Sequence, residues 1–145
     1  MAVNKVPLSG GKADGVIGNI SAARTGTSVI ASPSAGTDLI LLFTAGTYGG
    51  FIDYIPWQFI GTSQQAAALI YLWKTDTSGA NAQIFRVITV SAAAAAMSNT
   101  NKGPNGIESI NKNFAAGVKV YASLSVLTAS GTLNVDCDGG QFEGQ

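Results

Sequence analysis

The chain has 145 residues, and its eight lysines and arginines balance eight aspartates and glutamates, so the formal net charge is zero. That balance lacks the basic excess with which nucleic-acid binders neutralise phosphates and with which electrostatic anchors hold a membrane. Hydrophobic residues make up 46 % and charged residues 11 % of the chain, where about 25 % charged is usual. This composition excludes a disordered chain and predicts one folded domain. Its weakly charged surface either packs against neighbouring proteins or presents uncharged polar groups to solvent.

Apolar runs separated by turn residues follow one another from residue 16 onward. Their spacing predicts an all-β fold of about eight strands, a single-domain antiparallel β-sandwich or jelly roll. The first six predicted strands cover residues 16–23, 28–32, 38–46, 51–62, 67–76 and 83–90. The polar, glycine-rich residues 1–15 are predicted to form an extended N-terminal arm, and residues 16–145 the sandwich domain.

The central strands carry most of the aromatic residues. Residues 38–46 form a continuous apolar run, typical of a strand buried on both faces. Pro56 within the next strand predicts an edge or a bulge, because proline cannot donate a ladder hydrogen bond. Tyr54 and Trp57 lie three positions apart and so on opposite faces of a regular strand, and only a bulge would let both face the core. An exposed aromatic here would anchor a protein partner or stack on a sugar, and the scarcity of charged neighbours favours the protein partner.

Residues 91–113 interrupt the strand pattern. Five consecutive alanines favour a short helical turn or a loose loop. The asparagine, glycine and proline residues that follow predict an extended connection, which a sandwich needs where the chain crosses between sheets. A functional loop is the alternative interpretation of this segment.

Residues 117–140 show the clearest alternation in the chain. Every second residue from Val118 to Val126 is apolar, and Leu133, Val135 and Cys137 repeat the apolar face after a short turn. The pattern predicts two strands joined as a hairpin. Cys137 lies on the apolar face and is the only cysteine, so it is predicted to be a small buried hydrophobe without a disulfide partner.

The sequence offers little to catalysis. It contains no histidine, which excludes Ser-His-Asp and Cys-His catalysis and most transition-metal sites. The segment "SGGKADG" lacks the first glycine and the Ser/Thr of a phosphate-binding loop. Asp136 and Asp138 lie on one strand face, but two carboxylates without further oxygen ligands make a poor cation site. We therefore expect no catalytic residue, no metal and no cofactor, and we expect that the chain is not an enzyme.

Four segments taken together resemble a family of small structural proteins of tailed bacteriophages. They are "GTDLILLFTAGTYGGFIDYI" (36–55), "AALIYLWKTDTSGAN" (67–81), "NFAAGVKVYASLSV" (113–126) and "GTLNVDCDGGQFE" (131–143). Asn113, Phe114 and Ala115 stand where the family pattern often has Leu-Pro, and residues 138–142 match its glycine-rich ending. The resemblance implies a jelly-roll virion protein, most directly a decoration (cement) protein that bridges neighbouring subunits on the outer capsid surface. It brings no catalytic residues.

The expected partners that follow from this resemblance are the major capsid protein and further copies of the chain, with a trimer implied. The balanced charge adds the expectation that neither nucleic acid nor a membrane is a partner. The expected interface residues are Lys5, Val6, Pro7, Leu8, Tyr54 and Trp57. The expected location is the capsid surface of the virion, after synthesis in the host cytoplasm, because residues 1–15 lack the apolar region of a secretory signal. The alternative is a head-fibre or tail-fibre module that binds a host receptor or glycan.

Overall fold

The structure, a computed structural model, describes residues 18–93, 95–98 and 103–143, together with the backbone of residues 6–7. Within these residues every regular element is a strand, and none is a helix. The ten strands are β1 (Val6–Pro7), β2 (Gly18–Ile20), β3 (Leu39–Thr44), β4 (Gly50–Gly61), β5 (Ala68–Lys74), β6 (Gln83–Val90), β7 (Asn105–Phe114), β8 (Lys119–Leu124), β9 (Gly131–Val135) and β10 (Asp138–Glu143). The predicted all-β class is confirmed.

The long strand β4 forms the centre of the first sheet. Strand β7 pairs with it along one side, while β9 and β10 follow each other along its other side. The short strands β2 and β1 complete the sheet beyond β9 and β10, respectively. The six strands of this sheet therefore occupy four positions, and all the pairings are antiparallel.

The second sheet has the order β3-β8-β5-β6 and is also antiparallel. Strands β1 and β2 share one position in the first sheet, and β9 and β10 share another. When the eight positions are numbered in chain order, the first sheet has the order 1-8-3-6 and the second has the order 2-7-4-5, which is the strand order of a jelly roll. The apolar faces of both sheets meet in one buried core, whose fully buried members include Ile52, Phe59, Leu72, Leu124 and Leu133. The predicted β-sandwich is confirmed.

The predicted hairpin over residues 117–140 is wrong, although both of its strands exist. Strand β8 lies in the second sheet between β3 and β5, whereas β9 lies in the first sheet between β4 and β2. The connection at residues 125–130 crosses from one sheet to the other, so the two apolar faces meet across the core instead of side by side. Alternation identifies the buried face of a strand, but it does not identify the neighbouring strand.

The predicted strand at residues 28–32 is also wrong, because this segment makes only an isolated bridge between Ile30 and Ala82. It belongs to a long connection that lies over the outer face of the second sheet. A second apolar cluster forms there and includes Leu39, Tyr71, Trp73, Ala82 and Tyr121. The second sheet is therefore covered on both faces, which explains the continuous apolar run of β3.

Residues 105–114 form a strand, β7, where the sequence predicts a connection. The strand occupies the last part of the segment that the sequence presents as a connection, from Asn105 onward, and residues 91–93 and 95–98 contain no helical turn. The predicted crossover itself is confirmed, since β6 ends in the second sheet and β7 begins in the first. Strand β7 pairs only with β4, and most of its residues are at least partly exposed. Its polar composition suits this exposed position at the edge of the sheet.

Pro56 lies in the centre of the sheet, so the prediction of an edge strand is wrong. The Asp136 N–H donates to the Pro56 carbonyl at 2.9 Å, but proline has no N–H to donate in return. This one-sided contact falls where β9 ends and β10 has not yet begun. The predicted bulge occurs three residues earlier, where the register of both flanking strands shifts around Asp53.

The turn between β5 and β6 is organised by the Asp76 carboxylate. One oxygen accepts hydrogen bonds from the Ser78 N–H, the Ser78 hydroxyl and the Ala80 N–H at 2.9, 2.6 and 3.0 Å. The other oxygen accepts from the Asn81 side-chain amide at 2.8 Å. These bonds, led by those from the Ser78 and Asn81 side chains, lower the pKa of Asp76 from 3.8 to about 2.

Acid should weaken this turn over a defined range of pH. The unfolded chain takes up the Asp76 proton near pH 3.8 and the folded chain only near pH 2, so the contribution to stability is complete above the first value and lost on the way down to the second. We expect Asp76→Asn to flatten the dependence of the melting temperature on pH in this range, and Ser78→Ala to flatten it partly. Parallel curves for wild type and both variants would contradict the assignment.

Candidate binding face on the first sheet

The outer face of the first sheet, which we call the open face, is the broad sheet surface that the described residues leave uncovered. Strand β4 contributes Tyr54, Pro56, Gln58 and Ile60 to it, whereas the alternate residues Ile55 and Phe59 are fully buried in the core. The opposite sheet has no equivalent surface, because the connection over residues 21–38 packs against it. The fold thus has one covered and one open side.

The two aromatic residues of the predicted interface point in opposite directions. Tyr54 is 46 % exposed on the open face. Trp57 is half-buried, packs against the core and meets Phe59 edge-to-face at a centroid distance of 6.2 Å. As a result, the Tyr54 ring is accessible to a partner, while the Trp57 ring packs on the core side of β4.

The structure places part of the predicted arm on the same sheet as Tyr54. Val6 and Pro7 pair through their backbone with Glu143 and Phe142 at the end of β10. Tyr54 pairs with Asp138 at the other end of β10, four residues or about 13 Å from Phe142 along the strand. Lys5 and Leu8 lie outside the described residues. The arm and Tyr54 therefore belong to the same sheet.

A groove of about 400 Å³ crosses the open face. Its lining includes the predicted interface residue Trp57 together with Pro56 and Gln58, and Asn105, Asn134 and Asp136 contribute from the flanking segments. Nothing in the sequence alone marks the amide residues Gln58, Asn105 and Asn134 as part of a site. The sequence does show a polar residue at an outward-facing position of each of their strands. Whether such residues lie side by side depends on the register between strands, which a single sequence does not show.

Cys137 lies under the open face and is 2 % exposed, as predicted. Burial raises the pKa of its thiol to about 12, and the neighbouring charges of Asp136 and Asp138 add to the effect. The thiol is therefore protonated at neutral pH and a poor nucleophile.

Among the described residues, no three side chains of the histidine, cysteine, aspartate and glutamate types come together in a way that could hold a metal ion. The same part of the chain includes no helix with the length and apolarity needed to cross a membrane.

Comparison with protein-family models, with curated proteins and with solved structures gave no significant match to this chain.

Proposed function

We propose that this chain is a structural protein of a tailed-bacteriophage virion, and specifically a decoration protein that bridges neighbouring subunits on the outer capsid surface. The observation that carries the proposal is the pairing of the N-terminal residues 6–7 with the edge of β10. An arm that joins a sheet edge through its backbone forms hydrogen bonds that do not depend on side chains. Here the arm pairs with the edge of its own sheet. In this proposal the same backbone pairing, made to the equivalent edge of a neighbour, fastens the two domains together.

The resemblance noted in the sequence supports the same function. Its four segments fall on β3 and β4, on β5, on the end of β7 with β8, and on β9 with β10. These strands belong to both sheets and supply most of the core, so the resemblance concerns the framework of the fold.

The surface is also suited to many weak contacts repeated by symmetry. An interface of ordinary size buries about 800 Å² on each partner, and the cost of association offsets much of the resulting gain. A domain with few charges loses little by desolvation when its surface is covered. In this proposal the partners are the major capsid protein and further copies of the chain, with a trimer as the proposed assembly and no enzymatic activity.

Deletion of residues 2–15 tests the role of the arm. We expect the truncated protein to occupy purified capsids at least about tenfold less than the full chain at equal concentration, equivalent to about 1.4 kcal/mol or more of lost binding energy. A second variant, in which a glycine-serine segment of equal length replaces residues 2–15, keeps the backbone hydrogen-bonding groups of the arm and should retain more of the occupancy than the truncated protein.

Occupancy is measured by quantitative gel analysis of sedimented capsids. A melting curve of each variant shows whether the domain remains folded, which we expect because β1 contributes only two residues at a sheet edge. Unchanged occupancy of folded truncated protein would overturn the role of the arm.

A further inference from the structure

Four amide side chains form a row across the open face, and we call them the amide row. Asn19 of β2 pairs in register with Asn134 of β9. Asn134 pairs with Gln58 of β4, and Gln58 pairs with Asn105 of β7. Each of the four strand positions of the sheet thus contributes one amide at the same level. With strands about 4.8 Å apart, the row spans about 14 Å.

The amide row has hydrogen-bonding capacity that the fold does not use. Within the described residues, no hydrogen bond joins one amide side chain of the row to another. The one hydrogen bond that a side chain of the row makes there is from the Asn105 amide to the Gly103 carbonyl at 3.3 Å. The Asn134 Oδ1 atom is buried and has no hydrogen-bond partner in the part of the chain that the structure describes. A buried polar atom without a partner is costly for the fold. Because this oxygen has almost no accessible surface, a ligand in the groove supplies the missing donor only when the Asn134 side chain rotates outward.

Apolar groups lie beside this row in the next two levels of the sheet. Pro56 pairs with Ile107, which is 70 % exposed, and Tyr54 pairs with Ser109. Asp136 and Asp138 border these levels on the other side of β4. The open face therefore combines an aromatic ring and small apolar surfaces with amides and carboxylates.

The charges on this face are acidic, while a separate basic groove lies at the seam between β6 and β7. That groove is lined by Lys74, Arg86 and Lys112, and Arg86 also pairs with Glu108 at 3.4 Å. Among the residues that the structure describes, no lysine or arginine lines the groove beside the amide row. A polyanion would be repelled by the open face, so its ligand is expected to be neutral.

We propose that the amide row and its flanks bind a neutral oligosaccharide. Amide groups donate and accept hydrogen bonds at once, which matches hydroxyl groups, and carboxylates accept hydrogen bonds from them strongly. The exposed ring of Tyr54 offers a flat apolar surface to the apolar face of a sugar. The length of the row favours several linked sugar units over a single one. This activity would be additional to capsid attachment and does not depend on it.

The test is titration of the isotope-labelled full chain with a panel of neutral oligosaccharides, followed by NMR. The panel contains hexasaccharides of glucose, mannose, galactose and N-acetylglucosamine in their common linkages, with oligogalacturonate as the anionic comparison. We expect at least one neutral probe to bind with a Kd of about 1 mM or tighter. It should shift the side-chain amide signals of Asn19, Gln58, Asn105 and Asn134, whereas oligogalacturonate should leave them in place.

Single substitutions assign the binding to this face. Gln58→Ala and Asn105→Ala should each raise the Kd of the oligosaccharide that binds by about fivefold, the effect of one lost hydrogen bond. Gln83→Ala, an exposed position on β6 in the other sheet, should leave the Kd within about twofold. The proposal is overturned if no neutral probe binds at about 5 mM, if the anionic probe binds more tightly, or if Gln58→Ala and Asn105→Ala bind like wild type.

Discussion

Replacement of Trp73 by alanine should lower the free energy of unfolding by about 3–5 kcal/mol, the usual cost of removing a large buried aromatic side chain. Trp73 is fully buried in the cluster on the outer side of the second sheet. Its ring meets Tyr71 edge-to-face at a centroid distance of 6.3 Å. Its indole N–H donates to the Ser123 hydroxyl at 2.8 Å, a bond that the alanine variant loses. Urea unfolding at 25 °C measures the change.

Trp57→Ala is the matched control, because it removes the same side chain from a half-buried position. We expect a clearly smaller loss, about 1–3 kcal/mol, since less apolar area is withdrawn from water there. Equal losses at the two positions would contradict the account in which the connection over residues 21–38 forms a second apolar cluster. A loss for Trp73→Ala of under about 1 kcal/mol would contradict it directly.

Gln65→Leu should cost about 2–4 kcal/mol, although leucine has nearly the same size and is more hydrophobic. The Gln65 side chain is fully buried. Its amide nitrogen donates to the carbonyls of Ala66 and Val126 at 2.9 and 3.1 Å, and its oxygen accepts from the Thr128 N–H at 3.5 Å. Leucine would leave these backbone groups without the partner that joins two connections at one end of the sandwich.

The control for Gln65→Leu is Gln83→Leu, which makes the same substitution at an exposed position. We expect a change of no more than about 0.5 kcal/mol there. Both variants are measured by urea unfolding, with the slope of the transition used to check that the unfolded states remain comparable. A neutral or stabilising Gln65→Leu would show that hydrophobic gain outweighs the buried hydrogen bonds.

The fold class and most strands could be predicted from the sequence because their patterns reflect burial, which is a local property of each strand. The predicted strand at 83–90 agrees with β6, and those at 51–62 and 67–76 agree closely with β4 and β5. The pairing of strands is not local. The pattern of residues 117–140 is the same whether its two strands lie side by side or face each other across a core, and only the structure distinguishes the two.

Strand β7 was missed for a related reason. Its sequence, residues 105–114, is rich in asparagine and charged residues because it pairs with a single neighbour and borders solvent. Edge strands tolerate such residues, and charged side chains protect them from unwanted pairing. A composition that suits an exposed edge therefore looks like a connection when it is read alone.

The candidate site was predicted only in part. Tyr54 was selected as an exposed aromatic, and it is exposed. Trp57 was selected with it, but the phase of the strand turns it toward the core. The amide row could not be predicted, because Asn19, Gln58, Asn105 and Asn134 come together only through the register of four strands.

The most direct test of the proposed function is cryo-electron microscopy of virions from a phage that encodes this chain. We expect density for the sandwich in many symmetric copies on the outside of the icosahedral shell, with the N-terminal arm in contact with a neighbouring subunit. Density confined to a tail or a single vertex, or virions that lack the chain altogether, would contradict the proposal that it bridges capsid subunits.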